Sequence, residues 1–184
     1  MRTGAFLLAA SFLLLRFSFA AEPKSKLARE NDLKAVFLFN FTQFVEWPPT
    51  TFSDPTAPFI IGVLGEDPFG QTLDDIVANE SIKNRKIVVQ RYRDVREVRE
   101  CRILFISQSE SARLGPILGA LHGKNILTVG ETDGFSSAGG IIRFLIVQNK
   151  LRLRINVESA AAAQLTISSK LLRQAEIIGG KPAP

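Results

Sequence analysis

Histidine and cysteine each occur once in this 184-residue chain, as His122 and Cys101. One imidazole and one thiol cannot assemble a nitrogen- or sulfur-rich metal site within a single chain, which excludes zinc and copper centres. A serine triad would have to recruit His122, and no serine stands in a Gly-x-Ser-x-Gly elbow. His122 itself sits beside Gly123 at the expected end of a helix, where imidazole commonly meets the last carbonyls. Asp67, Asp74 and Asp75 fall in a turn and at a helix start, the places where carboxylates serve as solvated caps. The inventory nominates no catalytic residue, no metal and no cofactor.

A lone thiol also excludes a disulfide within the chain. Cys101 stands just before the apolar run Ile103-Leu104-Phe105-Ile106 and reads as a buried structural thiol, the alternatives being a link to another chain or a reactive site. Beyond the first twenty residues no apolar stretch approaches the ~20 residues a membrane span needs. Charge is also modest. Lys and Arg number 23 against 18 Asp and Glu, for a formal +5 that falls to +3 without Arg2 and Arg16. The basic residues are spread along the chain, not clustered on a face with aromatics, and this argues against a nucleic-acid partner.

What the chain does have begins at its first residue. Arg2, an apolar stretch over residues 5–15, and small residues at Ser18 and Ala20 form a signal peptide over residues 1–20, followed by one domain over 21–184. Arg16, Glu22, Lys24 and Lys26 interrupt or flank the stretch and argue against a retained anchor. No cysteine near the cleavage point could carry a lipid, so the mature protein is expected to be soluble and periplasmic.

Asn31 or Asp32 can cap a first helix in which Leu33, Val36, Phe37, Asn40, Phe41, Phe44 and Val45 recur on one broad face, predicting deep packing. Trp47-Pro48-Pro49 ends it. Residues 59–64 form a continuous apolar strand of the kind buried on both faces. Further strands are expected over 86–92, 102–107 and 125–129, with a helix at 71–77, a turn or two at 94–99, and a helix opened by Ser109 or Ser111 that reaches Leu121. After a glycine-rich loop over 132–140, residues 141–147 and 151–157 make an antiparallel hairpin, and a helix over about 158–178 closes the chain. This alternation predicts an α/β class: a layered single domain with a mixed, mainly parallel sheet ending in an antiparallel hairpin and C-terminal helix.

The glycine-rich loop lacks the Lys-Ser/Thr of a phosphate cradle and leads into a strand, so it reads as a tight connection needing positive φ angles. Arg143 on one strand of the hairpin, with Arg152 and Arg154 on the other, forms a cationic strip suited to a small anionic ligand. Trp47 and Phe41, at the end of the first helix, offer an aromatic surface or simply core. Asn40 and Asn156 are polar groups beside apolar stripes that must find partners.

Five segments in order resemble the YfiR family of periplasmic regulators. They are Lys34-Ala35-Val36-Phe37-Leu38-Phe39-Asn40-Phe41-Thr42-Gln43-Phe44-Val45-Glu46-Trp47-Pro48, Val63-Leu64-Gly65-Glu66-Asp67-Pro68-Phe69-Gly70, Cys101 through Ile106, Gly134-Phe135 through Gly139-Gly140-Ile141-Ile142, and Ile167-Ser168-Ser169-Lys170-Leu171-Leu172. The resemblance implies a non-catalytic α/β protein, often a homodimer. It also implies that the protein binds and represses the periplasmic sensory domain of an inner-membrane diguanylate cyclase or other membrane sensor, controlling cyclic di-GMP and biofilm formation. Relatives commonly carry a second cysteine where this chain has Gly62, so the redox control the family suggests has no partner thiol here. The competing reading is a periplasmic small-molecule-binding protein that uses the arginine strip or the aromatic pocket near Trp47.

Overall fold

Residues Phe59–Leu64 are buried at all six positions, and the sheet is arranged around them. The computed structural model describes residues 25–52, 54 and 56–180. The expected signal peptide, residues 1–20, lies outside the described residues. Along the chain come α1 (Lys26–Phe44), β1 (Val45–Glu46), β2 (Phe59–Leu64), α2 (Gln71–Val77), β3 (Ser81–Ile82), β4 (Arg85–Tyr92) and β5 (Cys101–Ile106). They are followed by α3 (Leu114–Leu121), β6 (Leu127–Gly130), β7 (Ile142–Val147), β8 (Lys150–Asn156), α4 (Val157–Ala162), β9 (Thr166–Ile167), α5 (Ser169–Leu172) and β10 (Ala175–Ile178).

Eight strands form one sheet in the order β10-β8-β7-β6-β5-β2-β4-β3, while β1 and β9 pair separately. The five strands β7, β6, β5, β2 and β4 run parallel, β8 and β3 turn back on their neighbours, and β10 lies parallel to β8. This is the mixed, mainly parallel sheet the sequence predicts. Alternate residues sort into two cores. Phe59, Ile61, Val63, Phe105, Phe144 and Ile155 meet Ala35, Leu38 and Phe41 of α1 and Leu73 and Val77 of α2. Ile60, Leu64, Leu104 and Ile106 meet Leu114, Ile117, Leu118 and Leu121 of α3. Because the central strands β2 and β5 are covered on both faces, Phe59–Leu64 and Ile103–Ile106 read as unbroken apolar runs.

Several boundaries differ from expectation. Helix α1 starts at Lys26, capped by the Ser25 side chain, which accepts from the Ala28 N–H. Asn31 and Asp32 are instead tie-points, Asn31 donating to the Pro68 carbonyl and Asp32 accepting from the Thr72 hydroxyl. The helix ends at Phe44, ahead of the Trp-Pro-Pro stop, because Val45–Glu46 pairs with Thr166–Ile167. Nor is the whole apolar stripe packed, for Leu33 and Val36 are exposed. Ser107, not Ser109 or Ser111, caps the segment after β5, which begins as a 3₁₀ turn (Gln108–Arg113) before α3. The fourth expected strand starts at Leu127, two residues after Asn125.

The largest departure is at the C-terminal side. The helix following the hairpin stops at Ala162, and the chain then adds β9, α5 and the edge strand β10. Gln164 takes a left-handed φ of 56°. The Leu165 N–H bonds to the Ala160 carbonyl and that of Gln164 to Ala161, the hydrogen-bond pattern of a Schellman stop. Both hairpin turns use two residues with positive φ, Gln148-Asn149 before β8 and Lys83-Asn84 before β4, which matches the natural twist of the flanking strands.

The glycine-rich loop is a connection, as its sequence suggests, with Gly134 and Gly139 at positive φ. It also has a core role: Phe135 is fully buried, with its ring lying where Cβ atoms on Gly130 and Gly140 would be. Gly140→Ala is expected to cost about 1–3 kcal/mol by overpacking, and Phe135→Ala about 3–5 kcal/mol by leaving a cavity. Denaturant unfolding of the two variants checks both values.

Candidate functional site

In open parallel sheets a ligand usually sits where the strand order reverses, outside the carboxyl ends of the strands. Here the reversal falls at β2, which has β4 on one side and β5 on the other. That crevice is closed. Gly65 lies so close to the following loop that a Cβ there would meet Ser109 Oγ at 2.5 Å and Glu110 Cγ at 2.9 Å. The Ser109 hydroxyl accepts from the Glu66 N–H at 2.9 Å, and the buried Glu110 is paired with Arg113 at 2.6 Å. The acidic residues of the preceding turn are likewise engaged. Arg91 binds Asp67 at 2.8 Å, Asp74 through a charge-assisted bond, and the Gly70 carbonyl at 3.0 Å. Hydrogen bonding to Arg91 holds the Asp74 carboxyl below its ordinary range. His122 is exposed at the C-cap of α3. Among the described residues no group of three His, Cys, Asp or Glu side chains could hold a metal ion.

The interesting chemistry therefore lies along α1. Its buried face is Lys34, Ala35, Leu38, Phe41 and Thr42, so a lysine 2 % exposed sits among apolar neighbours. Lys34 Nζ is held by Glu30 at 2.7 Å, one helical turn away, and by Glu131 at 2.5 Å, just past β6. Burial acts to lower the Lys34 pKa, but its bonds to Glu131 and Glu30 outweigh that, and the net shift is upward. Sequence reasoning did not single out this trio. The Glu30–Lys34 spacing of four was the available signal; Glu131 is brought in only by the fold.

Toward its C-terminal half, α1 forms one wall of a groove of about 590 Å³ lined by Phe37, Asn40, Phe41 and Phe44, with Lys170, Leu171, Arg173 and Gln174 opposite. Two of the predicted residues, Asn40 and Phe41, thus meet at one place, with Phe41 fully buried in its floor. Trp47 lines a separate cavity of about 300 Å³ with Thr42, Phe52, Phe59 and Arg85. Its ring stands edge-on to Phe59 at 5.0 Å, and neither Trp47 Nε1 nor Thr42 Oγ1 has a hydrogen-bond partner among the described residues.

The arginine strip exists as geometry, since Arg143 and Arg154 are directly opposed across β7 and β8. Its charge is largely answered. Arg143 pairs with Asp133, and Arg154 pairs with Glu176 of β10 at 2.9 Å. Arg152 is exposed and lies with Arg173 in a further depression at the sheet edge. Asn156 is occupied structurally. Its Oδ1 accepts from the Ser159 N–H at 3.0 Å to cap α4, and its Nδ2 donates to the Ser136 carbonyl at 3.0 Å. The structure thus distributes the predicted residues over several places instead of one site.

Cys101 is fully buried, its thiol 2.8 Å from the Ile103 carbonyl, and burial pushes it up to about 12. Gly62 lies against it across the strands: a Cβ there would stand 2.8 Å from the sulfur and 2.6 Å from the Tyr92 ring.

Comparison with known families places the chain. The YfiR/HmsC-like family model matches residues 31–176, from the second turn of α1 into β10, and the chain belongs to this family of periplasmic regulators. No curated protein matches it. Among the described residues no helix is long and apolar enough to cross a membrane.

Two outcomes follow from the buried groups. Lys34→Met should cost about 3 kcal/mol at neutral pH, the low end for breaking a buried ion pair because both glutamates keep partial access to water. A raised folded-state pKa means that the contribution of Lys34 is fully present below its ordinary value of 10.5 and is lost as pH rises past that value. The gap in unfolding free energy between wild type and Lys34→Met should therefore narrow in strongly alkaline solution. Cys101 should ignore thiol reagents in the native protein at pH 8 and react stoichiometrically in denaturant, as a colorimetric thiol titration will report.

Proposed function

We propose that the mature chain is an exported regulator that docks on the periplasmic sensory domain of an inner-membrane signalling enzyme, a diguanylate cyclase by family resemblance, and holds it inactive. The observation that supports this reading is an apolar strip left uncovered by the fold. Leu33 and Val36 of α1 are 45 % and 39 % exposed, and Ile146 of the hairpin is 45 % exposed. Lys26 of α1 bonds Asn149 at the hairpin turn, and the Phe37 ring packs edge-on to Phe144, so the helix that carries Leu33 and Val36 lies against the hairpin that carries Ile146. Leu33 and Val36, one helical turn apart, form an exposed apolar pair, and exposed apolar surface on an otherwise well-packed protein marks a contact site. A protein that binds only the inactive form of an enzyme shifts its population by the differential affinity, with no chemistry of its own.

Leu33→Asp with Val36→Asp should leave the circular dichroism spectrum and thermal midpoint intact while abolishing co-purification of a membrane-anchored cyclase, and cellular cyclic di-GMP should rise to the level of the deletion strain. Apolar anchors at the centre of an interface commonly cost 2 kcal/mol or more when removed, roughly a thirtyfold loss of affinity. A folded double variant that still represses would remove this strip from the reading. Finding the protein in the cytosol with residues 1–20 retained would remove the reading altogether.

A further inference from the structure

We propose that the groove between α1 and α5 binds a small amphipathic anion, a molecule with a flexible saturated tail and a carboxylate head. This goes beyond the docking function and does not depend on it.

The groove divides into two chemistries. Its body is apolar: Phe37, Phe41 and Phe44 project from successive turns of α1, and Leu171 faces them from α5. Phe41 and Leu171 are buried, so the floor lies below the general surface. Phe37 and Phe41 are tilted 42° to one another with centroids 6.1 Å apart, so this wall is uneven, and the facing wall is aliphatic Leu171. A flexible chain can follow such a wall. The volume, about 590 Å³, falls within the ~300–1,000 Å³ typical of small-molecule sites.

The rim is polar and cationic. Lys170 and Arg173 are exposed there, and neither side chain has a carboxylate or hydrogen-bond partner among the described residues. Asn40 and Gln174 supply amides at the same rim, and those side chains too are without hydrogen bonds among the described residues. Arg173 and Gln174 also border the neighbouring depression that holds Arg152. The one carboxylate lining that depression, Glu176, is bound to Arg154. No Asp or Glu lines the groove itself. Two cations with no acid among the lining residues thus stand where an apolar groove opens, an arrangement complementary to a molecule with a greasy body and one negative end. Arg and Lys at a rim can hold a carboxylate through charge-assisted hydrogen bonds while the tail leaves water.

Calorimetric titration of the mature protein with monomeric decanoate tests the proposal. Saturable one-to-one binding is expected, weakened at least tenfold in Lys170→Glu/Arg173→Glu. The control Lys86→Glu/Arg93→Glu, which changes net charge equally on distant strand and turn positions, should bind as wild type does. Decyltrimethylammonium, with the same tail and the opposite charge, should bind at least tenfold more weakly than decanoate. Both variants must keep the wild-type thermal midpoint. Because these residues are exposed, Phe44→Asp provides a second, independent loss of binding through the wall. The proposal is overturned if wild type shows no saturable decanoate binding, if the groove variant binds like the control, or if the ammonium binds equally well. Binding to phosphatidylglycerol vesicles without binding to free decanoate would also overturn it, making the cations a membrane-contact patch.

Discussion

The buried Lys34 fixes how α1 is rolled on the sheet, and most of the functional surface depends on that roll. The helix carries apolar residues nearly all the way round, so hydrophobicity alone does not choose which side faces inward. An amine taken out of water does choose, because it must arrive where carboxylates can meet it. Glu131 waits at the end of β6, and Glu30 is supplied by the helix itself. With Lys34 directed there, Ala35, Leu38 and Phe41 go into the core. Leu33 and Val36 go outward, and Phe37 and Phe44 are left half-buried beside the groove. A purely apolar replacement at position 34 would remove the element that distinguishes one roll from its neighbours.

The position of binding surfaces follows from how the sheet is closed elsewhere. A doubly covered parallel sheet normally offers its ligand crevice at the reversal of strand order, but the Ser109 and Glu110 contacts with Gly65 and Glu66 fill it. The turn ahead of α2 is stapled by Arg91. What stays open includes the outer face of α1, the gap between α1 and α5, the cavity beside Trp47, and a depression at the carboxyl ends of β5 and β6 lined by Gln108, Glu131 and Arg143.

The sequence was most legible where one physical rule acts alone. Phe59–Leu64 and Ile103–Ile106 are unbroken apolar runs because both their faces are covered, and strand identity followed directly. The alternation of Leu153 and Ile155 with Arg152 and Arg154 likewise told which side of β8 is buried. Where two rules compete, reading failed. The alanine run at 160–163 has the highest helix propensity in the chain, yet the helix stops at once, because Gln164 occupies a left-handed position usually marked by glycine and so gives no warning. Leu33 and Val36 matched the helical period of the core but lie outside it, since periodicity cannot register that a lysine has taken an inward place. The candidate residues suffered similarly. Opposition of Arg143 and Arg154 was legible from the hairpin, but their neutralisation by Asp133 and Glu176 was not, because those acids come from a loop and from a strand that the sequence disguised as helix.

That disguised strand has a consequence for how the chain folds. Strand β10 is the outermost rung of the sheet and the last described element, and β8 has its hydrogen-bonding edge covered only by residues 175–178. Until β10 docks, β8 is therefore a naked border beside Ile146 and Val147, a ready template for pairing with another unfolded copy. Its arginines, set one residue apart on the outward face, act as like-charged spacers that discourage such pairing until Glu176 arrives to neutralise one of them.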